Sequence, residues 1–152
     1  MLKGIPQIIT PDMLYALAAM GHGDGLVLAD ANFPAYRLAG EHTLVHLPDS
    51  GISEVLKAVL TLFPIDALHA HRGYVMEVEP GDIKRGIKTP IWDDYAAVLK
   101  AEIPQSESFS GDILGTVKRQ DFYTEASRAE LIVLTGEKAP YANLMLYKGV
   151  LN

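Results

Sequence analysis

The sequence predicts a single α/β domain over residues 1–152, with helices on both faces of a mixed sheet of about six strands. A chain of 152 residues is long enough to bury one sizeable core, and it contains no repeat or linker. Short apolar segments alternate with helical ones, which is typical of an α/β domain. Two strand-like segments are adjacent near the carboxyl end, which favours a mixed sheet over a purely parallel one.

The first helix is predicted after Thr10, which is a typical N-cap residue. Pro11 follows at the first helical position, and Asp12 lies beside the positive end of the helix dipole. Gly21 ends the helix. The next segment, LVLAD at 26–30, is short and apolar and predicts a buried strand.

The middle of the chain predicts two further helices, each preceded by a strand. Residues 43–47 and 74–79 alternate enough to predict strands, while SGISEVLKAVLTLFP at 50–64 carries an apolar helical face that ends at Pro64. TPIWDDYAAVLKAE at 89–102 begins a helix with a threonine cap, a proline and two acidic residues.

Two polar segments are predicted to be mobile loops, the charged PGDIKRGIKT at 80–89 and PQSESFSG at 104–111. The remaining predicted elements are strands and one short helix: strands at 113–117, 131–135 and 143–147, and a helix at 121–128.

Composition excludes several classes of function. The chain has no cysteine, which removes disulfides, thiolate metal sites and cysteine nucleophiles. Its formal charge of -6 has the wrong sign for a protein that follows phosphate backbones, so we expect no nucleic-acid partner. No apolar run approaches the roughly 20 residues of a membrane span, and no signal peptide is evident, so we expect a cytoplasmic protein.

His22 lies in the loop GHGDG, between a predicted helix and a predicted strand. A phosphate-binding P-loop has the opposite order and carries a lysine followed by Ser or Thr, so the loop does not predict nucleotide binding. Gly21 can cap the helix and leave His22 as an exposed loop residue. Gly23 and Gly25 exceed what a cap requires, which leaves close approach of backbone or a ligand as the alternative.

Asp30 lies at the carboxyl end of its predicted strand, the edge where open α/β sheets bind ligands. The alternative is a turn residue ahead of Asn32 and Pro34. A five-residue strand is about 17 Å long, so His22 and Asp30 lie near its opposite ends. A site that uses both residues requires a bend or a neighbouring subunit.

Tyr141 and Asn143 are two residues apart where the last strand is predicted to begin, so we expect them on one face. A phenol and an amide are neutral hydrogen-bonding groups that suit sugar hydroxyls, although a strand-edge tyrosine beside a turn asparagine explains them equally well. Arg119, after the strand at 113–117, is a candidate for binding an anion or a hydroxyl, or a solvated surface residue.

The remaining histidines and serines predict no further chemistry. On a strand His69 and His71 would share a face and could hold a metal, but no third ligand is evident, so we expect loop or interface histidines and no metal site. Ser106, Ser108 and Ser110 lack a histidine and aspartate arrangement that would activate a nucleophile.

Five blocks of the sequence, in order and over nearly the whole chain, resemble the L-fucose mutarotase and D-ribose pyranase family, and most closely its L-fucose mutarotase branch. These blocks are LKGIP at 2–6, MGHGDGLVLADANFPA at 20–35, TPIW at 89–92, FY at 122–123 and TGEKAPYANLMLYKGV at 135–150.

The resemblance implies a cofactor-free enzyme that opens and recloses a sugar ring, interconverting α and β anomers and, in some members, pyranose and furanose forms. By position, it implies that His22 is the general acid and that a second set binds the sugar: Asp30, Arg119, Tyr141, Ala142 and Asn143. It also implies a decameric ring with sites at subunit contacts. The separation of His22 and Asp30 agrees with that assembly.

The chain departs from the family pattern at two positions. Thr124 stands in FYTEA where fucose mutarotases have an acid, and Ala142 stands in YAN where they have glycine. The second change crowds the backbone near the sugar and leaves the preferred substrate open. Two other functions remain as alternatives: a non-catalytic sugar-binding accessory protein of transport or regulation, and a ring-forming structural protein.

Overall fold

The computed structural model describes residues 2–151 and contains six strands and six helices in that range. The strands are β1 (Gly25–Ala29), β2 (Thr43–Leu47), β3 (Gly73–Met76), β4 (Leu114–Val117), β5 (Leu131–Thr135) and β6 (Leu144–Tyr147). The helices are α1 (Pro11–Ala19), α2 (Ala35–Ala39), α3 (Ile52–Leu60), α4 (Pro80–Lys84), α5 (Ile91–Ala101) and α6 (Arg119–Ala126).

The six strands form one sheet in the order β2-β5-β1-β6-β3-β4. The β2–β5, β1–β5 and β3–β4 pairs are parallel, whereas β6 is antiparallel to both β1 and β3. The predicted mixed sheet is therefore confirmed. Its antiparallel member is the last strand, which reaches the centre of the sheet through a short connection from β5.

Each face of the sheet carries its own apolar core. Leu26 and Leu28 of β1 belong to one core, with α1, α3 and α5, whereas Val27 and Ala29 belong to the other, with α2 and α6. This division follows from the alternation of side chains along a strand. The predicted three layers are confirmed. In residues 2–151 no helix is both long enough and apolar enough to cross a membrane.

The predicted start of α1 is confirmed. The Oγ1 of Thr10 accepts a hydrogen bond of 3.2 Å from the backbone N–H of Met13, and Pro11 is the first helical residue. The helix ends at Ala19, so the loop that carries His22 begins one residue earlier than predicted.

The prediction of a loop throughout 80–89 was wrong, because residues 80–84 form α4. Pro80 at the start of this helix has the backbone angle that a helix needs. No residue of α4 is buried, so its sequence carries no apolar periodicity. Helix α2 was missed for a related reason, since five residues are too short for a helical period to be recognised. Strand β3 also ends at Met76, three residues before its predicted end.

Candidate active site

The loop between α1 and β1 is fixed by Lys148, the residue that follows β6. Its ammonium donates to the carbonyls of Leu17 (2.7 Å) and Met20 (2.6 Å), which the end of α1 leaves without helical partners. Its backbone carbonyl accepts a 2.8 Å hydrogen bond from the N–H of Gly23. Gly23 has a φ of 86°, a conformation that favours glycine. His22 therefore lies on an anchored loop.

His22 is paired with Asp66, a carboxylate from the segment after α3. The distance from His22 Nε2 to Asp66 Oδ1 is 2.9 Å. Asp66 is only 3% exposed, whereas the side chain of His22 is 45% exposed. The loop thus presents to solvent an imidazole whose other side is held by a buried carboxylate.

The second oxygen of Asp66 is saturated by the segment that follows it. Oδ2 accepts hydrogen bonds from the backbone N–H groups of Leu68 (3.2 Å) and His69 (3.0 Å), and from Nδ1 of the His69 ring. Burial by itself raises the pKa of Asp66, but the hydrogen bonds to His69 and His22 outweigh it and hold this pKa below its ordinary value. Asp66 is therefore an anion at neutral pH.

His69 and His71 lie in irregular structure before β3, so they do not share a strand face. The Nδ1 of His71 is 2.7 Å from the carbonyl oxygen of Asp112, far along the chain from Asp66. Among the described residues no group of three or more His, Asp or Glu side chains is arranged to hold a metal ion.

A cleft of about 280 Å³ opens at the other end of β1. Asp30 and Asn143 form a reciprocal pair in its wall: the Asp30 N–H donates to Asn143 Oδ1, and Asn143 Nδ2 donates to Asp30 Oδ2, both at 2.8 Å. The full lining is Asp30, Asn32, Phe33, Met76, Arg119, Tyr123, Pro140, Tyr141 and Asn143. Apolar and aromatic walls with a few fixed polar groups are typical of a small-molecule site.

Burial raises the pKa of Asp30 above its ordinary value, and the charge of Glu137 adds to the effect. Hydrogen bonds from the backbone of Asn32, the side chain of Asn143 and the backbone of Phe33 oppose the rise without cancelling it. The carboxylate is therefore incompletely compensated inside the protein, and a hydroxyl group donated by a ligand would stabilise it.

Tyr141 lies in a turn before β6, with a φ of 56°, the one positive value among the described non-glycine residues. Its carbonyl accepts a 2.8 Å bond from the indole N–H of Trp92. Its hydroxyl accepts from the N–H of Glu79 at 3.1 Å and donates to Asp82. The prediction that Tyr141 begins the last strand was wrong, but the turn still places Tyr141 and Asn143 in one cleft.

Ala142 and Arg119 occupy different positions around this cleft. Ala142 is fully buried and packs in a core, and its carbonyl accepts a 2.8 Å bond from the hydroxyl of Tyr95. Ala142 does not line the cleft itself, and its part in binding a sugar stays a prediction. Arg119 begins α6, about half exposed, with Nε 3.9 Å from Glu79 Oε1. It also lines a neighbouring cleft of about 440 Å³.

The structure thus brings Asp30, Arg119, Tyr141 and Asn143 together and leaves His22 apart from them. His22 precedes β1 and Asp30 follows it, so about 17 Å of strand separates the two regions.

The sequence reasoning missed several residues that the structure places in these two regions: Asp66 and His69 beside His22, and Phe33, Met76 and Tyr123 in the cleft. Phe33 and Tyr123 pack edge to face, with ring centroids 5.6 Å apart. Both residues lie in blocks of the family resemblance, and both are near predicted site residues, since Phe33 lies three residues after Asp30 and Tyr123 lies four after Arg119. Asp66 carried no local motif at all.

The chain matches known proteins along nearly its whole length. The RbsD / FucU transport protein family matches residues 3–151. Fucose mutarotase of Danio rerio is 45% identical over 152 residues, covering 99% of this chain and 94% of the relative. Fucose mutarotase of Homo sapiens is 42% identical over 153 residues, with the same coverage.

Solved structures extend the likeness to three dimensions. FucU from Bifidobacterium longum has a TM-score of 0.88 and 43% identity, covering 99% of this chain and 100% of that one. The fucose mutarotase from Streptococcus pneumoniae in complex with L-fucose has a TM-score of 0.85 and 36% identity, with the same coverage. RbsD of Bacillus subtilis, complexed with D-ribose, shares the fold at 18% identity and a TM-score of 0.72. The chain belongs to the RbsD / FucU family, as the five sequence blocks predicted.

Proposed function

We propose that this protein is a monosaccharide mutarotase, an isomerase that interconverts the α and β anomers of L-fucose or a related aldose. The observation that carries the proposal is the full-length identity of 45% and 42% to two fucose mutarotases. The pair of His22 and Asp66, 2.9 Å apart beside the amino end of β1, gives this chain an acid–base group of the kind that the reaction needs.

Mutarotation requires two proton transfers. A proton leaves the anomeric hydroxyl and another reaches the ring oxygen, after which the open aldehyde rotates about its C1–C2 bond and closes to the other anomer. Histidine ordinarily titrates near neutrality, and a positioned acid or base typically contributes about 10²–10⁴-fold. In our proposal His22 protonates the ring oxygen, while Asp66 fixes its orientation.

The cleft at the other end of β1 is the proposed sugar subsite. The Asp30 carboxylate accepts from sugar hydroxyls, the Asn143 amide and Tyr141 hydroxyl offer neutral hydrogen bonds, and Arg119 donates from the rim. Phe33 provides an apolar wall. Four hydrogen-bonding groups that differ in charge and geometry suit a polyhydroxylated ring.

A complete site on this proposal combines two copies of the chain. His22 and the cleft lie at opposite ends of β1, so His22 of one copy meets the Asp30 cleft of its neighbour. A head-to-tail contact of this kind forms a ring where its rotation closes. We propose the decameric ring that the family resemblance implies. The cytoplasmic location expected from the sequence stays a prediction.

A second candidate function is a sugar-binding accessory protein that performs no chemistry. The RbsD / FucU transport protein family is named for transport, which favours this candidate. The two candidates differ in what His22 does, because binding alone does not need a proton donor on an anchored loop.

Saturation-transfer proton NMR on L-fucose, D-ribose and other aldoses separates the two candidates. We expect the protein to accelerate exchange between the α and β anomeric protons of at least one sugar. Sugar binding without faster exchange would establish the accessory protein instead. Absence of both binding and exchange for every aldose would reject both functions.

A further inference from the structure

We propose that His69 is a positioning residue for the acid–base step, acting on His22 through the carboxylate that the two histidines share. This inference rests on the proposed mutarotase function and deepens it. Its basis is that Asp66 binds His22 Nε2 through Oδ1 and His69 Nδ1 through Oδ2. One buried anion thus has an imidazole on each oxygen.

The two imidazoles differ in what holds them. The His69 ring stacks on Tyr147 of β6, with ring centroids 4.4 Å apart and an interplanar angle of 5°. Tyr74 of β3 packs edge-on at 6.2 Å, and the backbone carbonyl of His69 accepts a 3.2 Å bond from the Arg72 guanidinium. The two side chains are similarly exposed, 39% for His69 and 45% for His22, and what distinguishes His69 is its stacking on the sheet. The stacked histidine orients the carboxylate, and the carboxylate orients His22.

Removal of the His69 ring leaves Asp66 in place. Oδ2 keeps the backbone N–H donors of Leu68 and His69, at 3.2 and 3.0 Å. The carboxylate does not become an unpaired buried charge, so the protein should still fold. What disappears is the charge-assisted hydrogen bond that restricts the carboxylate and stabilises its ionised form. The expected defect therefore lies in catalysis.

His69 and Asp66 are surrounded by two tyrosines, an arginine and His22. Burial and the nearby Glu125 raise the pKa of Tyr147 to about 12, so the ring beneath His69 remains neutral in the working range. Tyr147 also lies near its strand neighbour Tyr74, at a centroid distance of 6.0 Å. The titratable and charged groups around His69 and its carboxylate are Asp66, His22, Arg72, Tyr74 and Tyr147.

Two substitutions separate the hydrogen bond of His69 from its stacking. His69→Phe keeps an aromatic ring on Tyr147 and loses the donor, whereas His69→Asn loses the ring and keeps an N–H donor near the Nδ1 position. His71→Phe is the matched control, since this histidine lies two residues away and bonds the carbonyl of Asp112 instead.

We expect His69→Phe to lower kcat for anomer exchange at least roughly tenfold with little change in KM, as part of the contribution that a positioned acid–base group makes. His69→Asn should recover most of kcat, because its amide restores a hydrogen-bond donor to Asp66. His71→Phe should resemble the wild type. Full activity in His69→Phe, or an equal loss in His71→Phe, would overturn the proposal.

A measurement without sugar separates failure of this inference from failure of the mutarotase function. At fixed pH, the ring ¹⁵N signals of His22 report its hydrogen bond to Asp66. We expect His69→Phe to shift them and His71→Phe to leave them in place. Unshifted signals in His69→Phe reject the link through Asp66, even if the wild type is an active mutarotase. Shifted signals support that link even if the wild type proves inactive.

Discussion

The reciprocal pair of Asp30 and Asn143 predicts a large, pH-dependent cost for Asn143→Ala. Asn143 is 5% exposed, and its amide makes two hydrogen bonds of 2.8 Å that join the end of β1 to the start of β6. The substitution leaves the Asp30 N–H without this acceptor and removes one donor from the Asp30 carboxylate.

The magnitude follows from the two groups that lose a partner. A buried donor left unsatisfied costs about 1–3 kcal/mol, and a hydrogen bond to a charged group contributes about 1.5–3 kcal/mol. The Asp30 carboxylate keeps its 2.9 Å bond from the N–H of Asn32, which reduces the free energy lost at the carboxylate. We expect Asn143→Ala to lower the free energy of unfolding by about 2–5 kcal/mol at neutral pH.

The sign of the pH dependence follows from the pKa of Asp30. Burial raises this pKa and Asn143 opposes the rise, so Asn143→Ala raises the folded-state pKa further. A folded pKa above the unfolded one gives stability that is fully present below the unfolded pKa and is lost as pH rises through the folded pKa. The penalty of the substitution should therefore be larger at pH 7 than in acid.

Urea unfolding at a fixed protein concentration measures both effects, because assembly makes stability concentration-dependent. Asn32→Ala is the matched control, since Asn32 is exposed, lines the same cleft and bonds Asp30 only through its backbone. If Asn143→Ala costs no more than Asn32→Ala, or costs more in acid than at pH 7, the reasoning about the pair is refuted.

Three further predictions concern assembly, packing and acid stability. If each site joins two copies, equal amounts of the inactive His22→Ala and Asp30→Asn chains, refolded together, should form assemblies in which about a quarter of the sites have both His22 and Asp30. A mixture without activity would place each site within one chain. In Gly136→Ala the added Cβ would lie 1.9 Å from the backbone oxygen of Pro48, so thermal unfolding should occur several degrees lower, and an unchanged midpoint would contradict the contact. Burial raises the pKa of Asp66, but two histidine hydrogen bonds outweigh it and hold this pKa below 3.8. The ionised carboxylate therefore adds to the free energy of unfolding above that pH, and this contribution is lost as pH falls through the folded pKa. Asp66→Asn should flatten the acid side of the stability curve measured by urea unfolding, and an unchanged slope would refute this linkage.

Local signals in the sequence predicted most of the fold. Thr10 and Pro11 define the start of α1 through a cap and a fixed backbone angle, which act within one helical turn. The six strands were recognisable because they are apolar and bounded by polar turns. Helix α4 was not recognisable, because none of its residues is buried and no apolar period marks it.

The candidate site was predictable only in part, because some of its contacts join residues that lie far apart in the sequence. Local sequence features marked some candidates: His22 lies among glycines, and Asp30 and Tyr141 lie where strands were predicted to end or begin. Asp66 lies 44 residues from His22 and stands alone in an apolar segment, so its pairing depends on how β6 and the segment after α3 meet. Such a contact is a property of the folded chain and leaves no pattern in the sequence.

The position of Tyr141 also depends on tertiary contacts that the sequence does not show. Its place in the cleft was predicted from a strand alternation that the structure does not have, since Tyr141 lies in a turn with a positive φ. The Trp92 indole that binds its carbonyl comes from α5, 49 residues earlier. The residue type indicated hydrogen bonding correctly, whereas its geometry came from tertiary contacts.

The most direct test of the account compares the rate of anomer exchange of L-fucose for the wild-type protein and His22→Ala, by saturation-transfer proton NMR with the oligomeric state verified for both. The account predicts acceleration by the wild type and a loss of about 10²-fold or more in the variant, since the proton donor is removed. Wild-type rates in His22→Ala would contradict the account, because the paired imidazole would then take no part in opening the sugar ring.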